Sequence, residues 1–374
     1  FRQNERGNWD EVLQRVAESL QKKFADIAAD GFNLPIQEIK KQASKLLAEH
    51  ASLEQKAALL INQGKPREAE VIYREIIAEG TNNHAVYNNL AAICGMQGRV
   101  DELISLLGKA LELKPNCPQT HYNMGKALEE HGDLSAAFIS YSKATELNPR
   151  YPEAHSNLGN VLKAQGNLVA AIDSYSRAIA LKPDYSDAYN NLGNALHEHG
   201  DLSAAIASYR KALAFKPDYP EAQGNLSMVE LLLGDYRSGW ERYEYRFRAK
   251  VGVGVINAVP ASVQWDGRRL GARDALLLVS EQGIGDTLQF MRYAIALGQR
   301  GIQVSLCAPQ KLHSLIRVSG IDPAPLTPEQ ANAVTEGCWI PMLSVPRYLE
   351  VGPGNPIITE PYIKTTDELM AKWR

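Results

Sequence analysis

Two stretches of the chain carry residue types that could do chemistry. The first is Ser280-Glu281-Gln282-Gly283-Ile284-Gly285-Asp286-Thr287, which follows the apolar run Ala275-Leu276-Leu277-Leu278-Val279. Gly283 and Gly285, where a strand hands over to a helix, let the backbone approach a ligand, and a helix N-terminus favours an anion. A dinucleotide fingerprint is not completed, because Leu288 stands where GxGxxG needs its third glycine. On these grounds Asp286 reads as the cap of the following helix.

The second stretch is a column. Asn89, Asn123, Asn157, Asn191 and Asn225 recur every 34 residues, each followed by Leu or Met and then a small residue. Asparagine is a poor helix former, since its amide competes for backbone hydrogen bonds. Five in one phase therefore need a reason. A carboxamide offers donors and an acceptor to a peptide backbone. A ladder of them on one helix face would read an extended chain without regard to its side chains. Asn160 and Asn194, one turn on, widen it. The competing reading is structural, with the amides bracing neighbouring repeats.

Other chemistry is excluded by spacing. Cys94, Cys117, Cys307 and Cys338 form no CxxC pair, and no His, Cys and carboxylate set has metal-ligand spacing. No Gly-x-Ser-x-Gly nucleophile motif occurs. With 40 basic against 43 acidic residues in 374, a nucleic-acid binder driven by phosphate neutralisation is not expected. No apolar run reaches the ~18 residues of a membrane span. Reduced thiols and the lack of a signal peptide after Phe1 give the expectation of a cytoplasmic protein. Opening on Phe1 also reads as a processed or trimmed chain.

The elements that must position these residues follow from period and punctuation. Residues 1–49 read as a helical N-terminal cap, with helical spacing from Val12 to Ile27 and again from Ile36 to Leu47. Residues 50–250 read as a repeat array of about six 34-residue repeats, starting at 50, 84, 118, 152, 186 and 220. In 152–185, Leu158, Gly159 and Leu162 mark a buried helix face and Gly166 ends that helix. Asn167 starts a second helix with Ala171, Tyr175 and Ala178 inside, and Pro183 closes it. Period and signature are those of tetratricopeptide repeats. The last repeat departs from them, with Gly239, Trp240 and Tyr243 at core positions.

Residues 251–264 read as a linker and 265–374 as a Rossmann-like α/β half-module. Strands are expected at 275–279, 302–306 and near 338–340, with helices over 286–300 and 309–318. Strand and helix alternating at short spacing predict a parallel sheet. Arg237, Arg242, Arg246, Arg248, Lys250, Arg268 and Arg269 form a basic zone at the junction, read as a solvated face.

Two resemblances add to this. The repeats His155-Ser156-Asn157-Leu158-Gly159-Asn160 and Ala188-Tyr189-Asn190-Asn191-Leu192-Gly193-Asn194 resemble those of the O-GlcNAc transferases, in which the recurring asparagine lines the groove of a superhelix and holds protein substrates. The ordered series Gly234 to Glu241, Trp265-Asp266-Gly267, Glu281 to Tyr293, Pro341 to Pro346 and Pro361-Tyr362-Ile363 resembles bacterial proteins that join tetratricopeptide repeats to a heptosyltransferase-like glycosyltransferase module.

That second resemblance implies several things together. The fold is the N-terminal half of a two-Rossmann-domain glycosyltransferase. Asp286 is the candidate general base on an acceptor hydroxyl, and Glu281, Gln282, Gly283, Gly285 and Thr287 are an acceptor loop. The donor would be a nucleotide sugar, with no tightly bound cofactor. The donor-binding half is missing before Arg374, so the chain as it stands is expected to be inactive. Expected partners are a protein or peptide in the groove, no nucleic acid, and self-association where the incomplete sheet needs cover. The alternative is a non-catalytic scaffold whose α/β piece only caps the array.

Overall fold

The structure, a computed structural model, describes residues 36–248, 256–270, 274–281, 283–352, 355 and 361–364. The first part of the expected cap, the linker residues 251–255, Lys250 and Gln282 lie outside the described residues. The chain forms two compact units, Phe1–Pro183 and Asp184–Arg374. The division falls between repeats, not at the expected linker. In a repeat array each repeat contacts only its neighbours, so one seam resembles the next.

In the first unit, helices α1 (Ile36–Asn62), α2 (Pro66–Ala78), α3 (His84–Met96), α4 (Val100–Leu113), α5 (Pro118–His131), α6 (Leu134–Leu147), α7 (Pro152–Ala164) and α8 (Leu168–Leu181) pack as successive antiparallel pairs. The expected break between cap and first repeat does not occur, since α1 runs through residues 49 and 50 without interruption. No glycine or proline stands between Pro35 and Gly64 to stop it.

Each pair is punctuated chemically. Asp133 and Asn167 accept from the N–H groups of Ala136 and Ala170, which starts α6 and α8. Gly64, Gly98, Gly132 and Gly166 have φ between 72° and 90°, so the exit from each first helix takes a left-handed residue. Gly125 and Gly159 lie flat against tyrosine rings, where an added Cβ would come within 2.6 Å of Tyr141 or Tyr175. Those tyrosines are fully buried.

In the second unit α9 (Ser186–His199), α10 (Leu202–Phe215), α11 (Pro220–Leu232) and α12 (Tyr236–Tyr243) continue the pattern, with Gly193 against Tyr209. The last helix is short and passes into a 3₁₀ turn, Glu244–Phe247. Strands β1 (Val263–Gln264), β2 (Ala275–Val279), β3 (Gln303–Cys307) and β4 (Cys338–Pro341) form one parallel sheet in the order β1-β4-β2-β3. Helices α13 (Ile284–Phe290), α14 (Arg292–Gln299), α15 (His313–Val318), α16 (Pro328–Asn332) and α17 (Val345–Tyr348) connect and flank it.

Alternate residues of β2 enter two different cores. Leu276 and Leu278 pack with Met291, Leu306 and Ile340, while Leu277 and Val279 pack with Cys307, Ala331 and Trp339. Both faces of the sheet are therefore covered, as an all-apolar strand requires. Two expectations shift in detail. The helix expected over 286–300 is two helices hinged at the buried Met291, and β1 lies inside the stretch read as linker. A two-residue edge strand with exposed Val263 has no apolar run to announce it.

Candidate functional site

The asparagine column lies on the first helix of each pair. Asn89 is exposed, and Asn123, Asn157, Asn191 and Asn225 are half-buried, so the column borders solvent as its phase requires. Its amides also work inside the protein. Asn89 Nδ2 donates to the Tyr73 hydroxyl at 3.2 Å, and Asn157 Nδ2 to the hydroxyls of Tyr141 at 3.3 Å and Tyr122 at 3.4 Å. Asn225 Nδ2 donates to Asn190 Oδ1 at 3.0 Å. Each of these bonds reaches the preceding repeat. In Asn89, Asn157 and Asn225 the amide nitrogen thus braces two repeats, while the side chain stays in contact with solvent.

Asn160 and Asn194 have a different partner. Their Oδ1 atoms accept from Tyr175 and Tyr209 of the same repeat, both at 2.8 Å. In 118–151 the matching residue is Lys126, and there Tyr141 donates to Glu129 Oε2 at 2.8 Å instead. Burial, with Glu129 beside it, pushes the Tyr141 hydroxyl well above its ordinary pKa, so it stays a neutral donor. Asn123 Oδ1 accepts from Gln119 within its own helix.

The loop after β2 sits at the carboxyl end of the sheet, where β3 lies to one side of β2 and β4 to the other. This reversal of direction is where parallel α/β sheets open a ligand crevice. Gly283 is the N-cap of α13, and Asp286 is in the first turn without capping it. The expectation that Asp286 is a simple cap is therefore corrected. It is half-exposed, and among the described residues nothing bonds its carboxylate. Gly283 and Gly285 are exposed, with nothing within 4 Å of an added Cβ.

Two members of the expected acceptor loop point inward. Thr287 is buried, and its hydroxyl donates to Gly283 O at 3.1 Å. Glu281 is wholly buried, with both oxygens engaged by Arg246 and one also accepting from Leu343 N–H at 2.9 Å. Burial pushes its carboxyl up from the ordinary value, against the pull of Arg246 and the Leu343 N–H.

The basic zone is a solvated face only in part, with Arg237, Arg248, Arg268 and Arg269 exposed. Arg246 is buried, Arg242 donates to Glu230 and Gln223, and Arg248 pairs with Asp218. Sequence reasoning treated Arg246 as one charge among several. Its aromatic setting, Tyr243-Glu244-Tyr245-Arg246-Phe247, was the available signal, since a guanidinium among rings can be buried. Among the described residues no group of His, Cys, Asp and Glu could hold a metal ion. The four cysteines are free thiols, and burial pushes Cys307 up to about 12. Among the described residues no helix is long and apolar enough to cross a membrane.

A family model described as TPR repeat matches residues 130–166, 159–200 and 193–227. Human protein O-mannosyl-transferase TMTC1 is 34% identical over 89 residues, 23% of this chain. The chain spans 10% of that relative's length. Among solved structures, a crystal structure of MamA is 27% identical with a TM-score of 0.40, covering 42% of this chain and 93% of that one. YrrB, described as a TPR protein with an unusual peptide-binding site, is 19% identical at a TM-score of 0.41, covering 46% and 89%. PilF of Pseudomonas aeruginosa is 14% identical at 0.47, covering 55% and 91%. The segment 130–227 is thus a run of tetratricopeptide repeats.

Proposed function

We propose that the repeats bind a protein or peptide segment, and that the α/β module is the acceptor-side part of a glycosyltransferase with a Rossmann-like fold. Sugar would pass from a nucleotide sugar to a hydroxyl of a protein or glycan. One observation carries the catalytic half of this reading. Asp286 stands just past β2, beside the point where the strand order reverses, and among the described residues nothing bonds its carboxylate. A carboxylate so placed can take the acceptor proton as the new C–O bond forms. The binding half rests on the repeats and on the solvent-bordering amides of Asn157, Asn191 and Asn225. One relative, similar over 89 residues, carries the name of a protein mannosyl-transferase.

A second reading has its own support. The final repeat packs on the module through Trp240, edge-on to Phe290 at 6.4 Å, and through the buried Arg246–Glu281 pair. This would also serve a scaffold whose α/β piece only caps the array. The test has two arms. On the full-length natural protein, Asp286→Asn should abolish transfer from nucleotide sugars at an unchanged unfolding midpoint; normal turnover would remove Asp286 from the role. On a peptide array, the triple change of Asn157, Asn191 and Asn225 to Ala should weaken binding at least tenfold. Unchanged binding with a fall in stability would leave the column as braces alone.

A further inference from the structure

The end of the repeat segment reaches the carboxyl end of the sheet, where the strand order reverses, through Arg246. Arg246, on the 3₁₀ turn after α12, is 3% exposed, and Glu281 beneath it is 0% exposed. An arginine has five N–H donors in a planar fork, and here all five are placed. Nε donates to Glu281 Oε2 at 2.9 Å, and Nη2 to Glu281 Oε1 at 3.1 Å and Ser344 Oγ at 2.7 Å. Nη1 donates to Tyr243 O at 3.1 Å and Glu244 Oε1 at 2.9 Å. The guanidinium lies over the Phe247 ring at 3.9 Å and the Tyr243 ring at 4.5 Å.

Its partners come from three places in the chain. Glu281 ends the path out of β2, Leu343 and Ser344 follow β4, and Glu244 belongs to the same turn as Arg246. Ser344 in turn donates to Glu244 Oε2 at 3.1 Å, and Leu343 N–H to Glu281 Oε1 at 2.9 Å, which closes the ring of bonds. A buried ionic network is stable only when every member is satisfied, and removing one leaves an uncompensated charge. This one is satisfied, so the segment leaving β2 and the segment leaving β4 are tied to one point.

We propose that Arg246 is a positioning residue, clamping the loops after β2 and β4 so that the segment 283–287, with Asp286, is held in one place relative to the end of the repeats. The functional meaning of this rests on the reading of Asp286 above; the clamp itself does not. Lysine cannot replace it, since a compact ammonium with three donors leaves acceptors unmet and cannot span the fork. Glu281 acts through the clamp and is not a substrate contact.

Backbone amide exchange on the 374-residue chain tests this, with no donor or acceptor present. Arg246→Lys and Glu281→Gln should each speed exchange at 283–291 and at Leu343 by at least tenfold. Amides of β3 and of α9–α10 should keep their wild-type rates. Ser344→Ala, which removes the bond from Arg246 at 2.7 Å and the bond to Glu244 at 3.1 Å, gives a smaller change in the same places and serves if the charge variants fail to fold. A uniform rise across the sheet, or no rise at 283–291, would overturn the clamp. Asp286→Asn should leave exchange as in wild type. A failed Asp286 assay with a positive exchange result would reject the catalytic reading and leave the clamp standing.

Discussion

The repeat at 152–185 and the last repeat, from 220, share a skeleton and fill it differently. In the first, Gly159 meets the Tyr175 ring and Leu162 is buried. In the last, the matching positions are Ser227 and Glu230, both buried, and Glu230 pairs with Arg242 at 3.0 Å and Arg210 at 3.5 Å. The second helix shrinks from 14 residues to 8. A middle repeat is built to the same pattern as its neighbours in sequence, so contacts that can recur in one phase serve it. A terminal repeat meets one particular neighbour. The Arg246 clamp suits that task, because its directional bonds are right for one surface and wrong for others.

The contrast can be broken at its glycines first. Gly159→Ala places a Cβ 2.6 Å from Tyr175, and overpacking of this kind costs about 1–3 kcal/mol. Gly224→Ala in the last repeat meets nothing within 4 Å and should instead stabilise α11, by up to about 1 kcal/mol. Urea midpoints of the two variants should move in opposite directions; a shared loss would mean the last repeat is packed like the others.

Acid sharpens the comparison. Burial opposes ionisation of Glu70, yet hydrogen bonds from Arg74, Arg99 and Gln97 bring its carboxyl down to about 2 from an ordinary 4.5. A depressed folded-state pKa gives stability that is present above the unfolded value and lost as pH falls towards 2. The first repeats should therefore weaken between those limits, and Glu70→Gln should flatten that dependence. Glu281 is shifted the opposite way and adds no acid loss of this kind. The smallest effect is expected at the exposed pair Arg248–Asp218. Arg248→Ala should cost between 0 and about 1 kcal/mol in the same unfolding assay, less at high salt.

The repeats were legible because each one restates the same few constraints. Gly132, Gly166 and Gly200 take left-handed φ, Asp133, Asn167 and Asp201 cap, and Tyr141, Tyr175 and Tyr209 fill the interior, so period alone locates them. The strands at 275–279, 303–307 and 338–341 were readable as apolar runs within a residue or so. What could not be read was partnership between distant residues. Arg246 and Glu281 are 35 positions apart, and nothing in either local pattern says that one will neutralise the other. The inward turn of Thr287 and the bracing of Tyr141 by Asn157 are of the same kind, fixed by tertiary approach and not by local propensity.

The caps carry a consequence for how such a chain can change length. Asp133, Asn167, Asp201 and Asp235 open second helices at intervals of one repeat, and Gly132, Gly166, Gly200 and Gly234 close first helices in the same phase. Loss of residues 152–185 as a block would bring Tyr151 up to Ser186 and leave every start and stop signal in register. Loss of 33 or 35 residues would rotate a helix face by about 100° and bury the wrong side. Inheritance can thus shorten or lengthen the binding surface in whole steps through gene duplication and deletion. The final repeat, whose Arg246 has one fixed destination, is the member that cannot be copied inward or dropped.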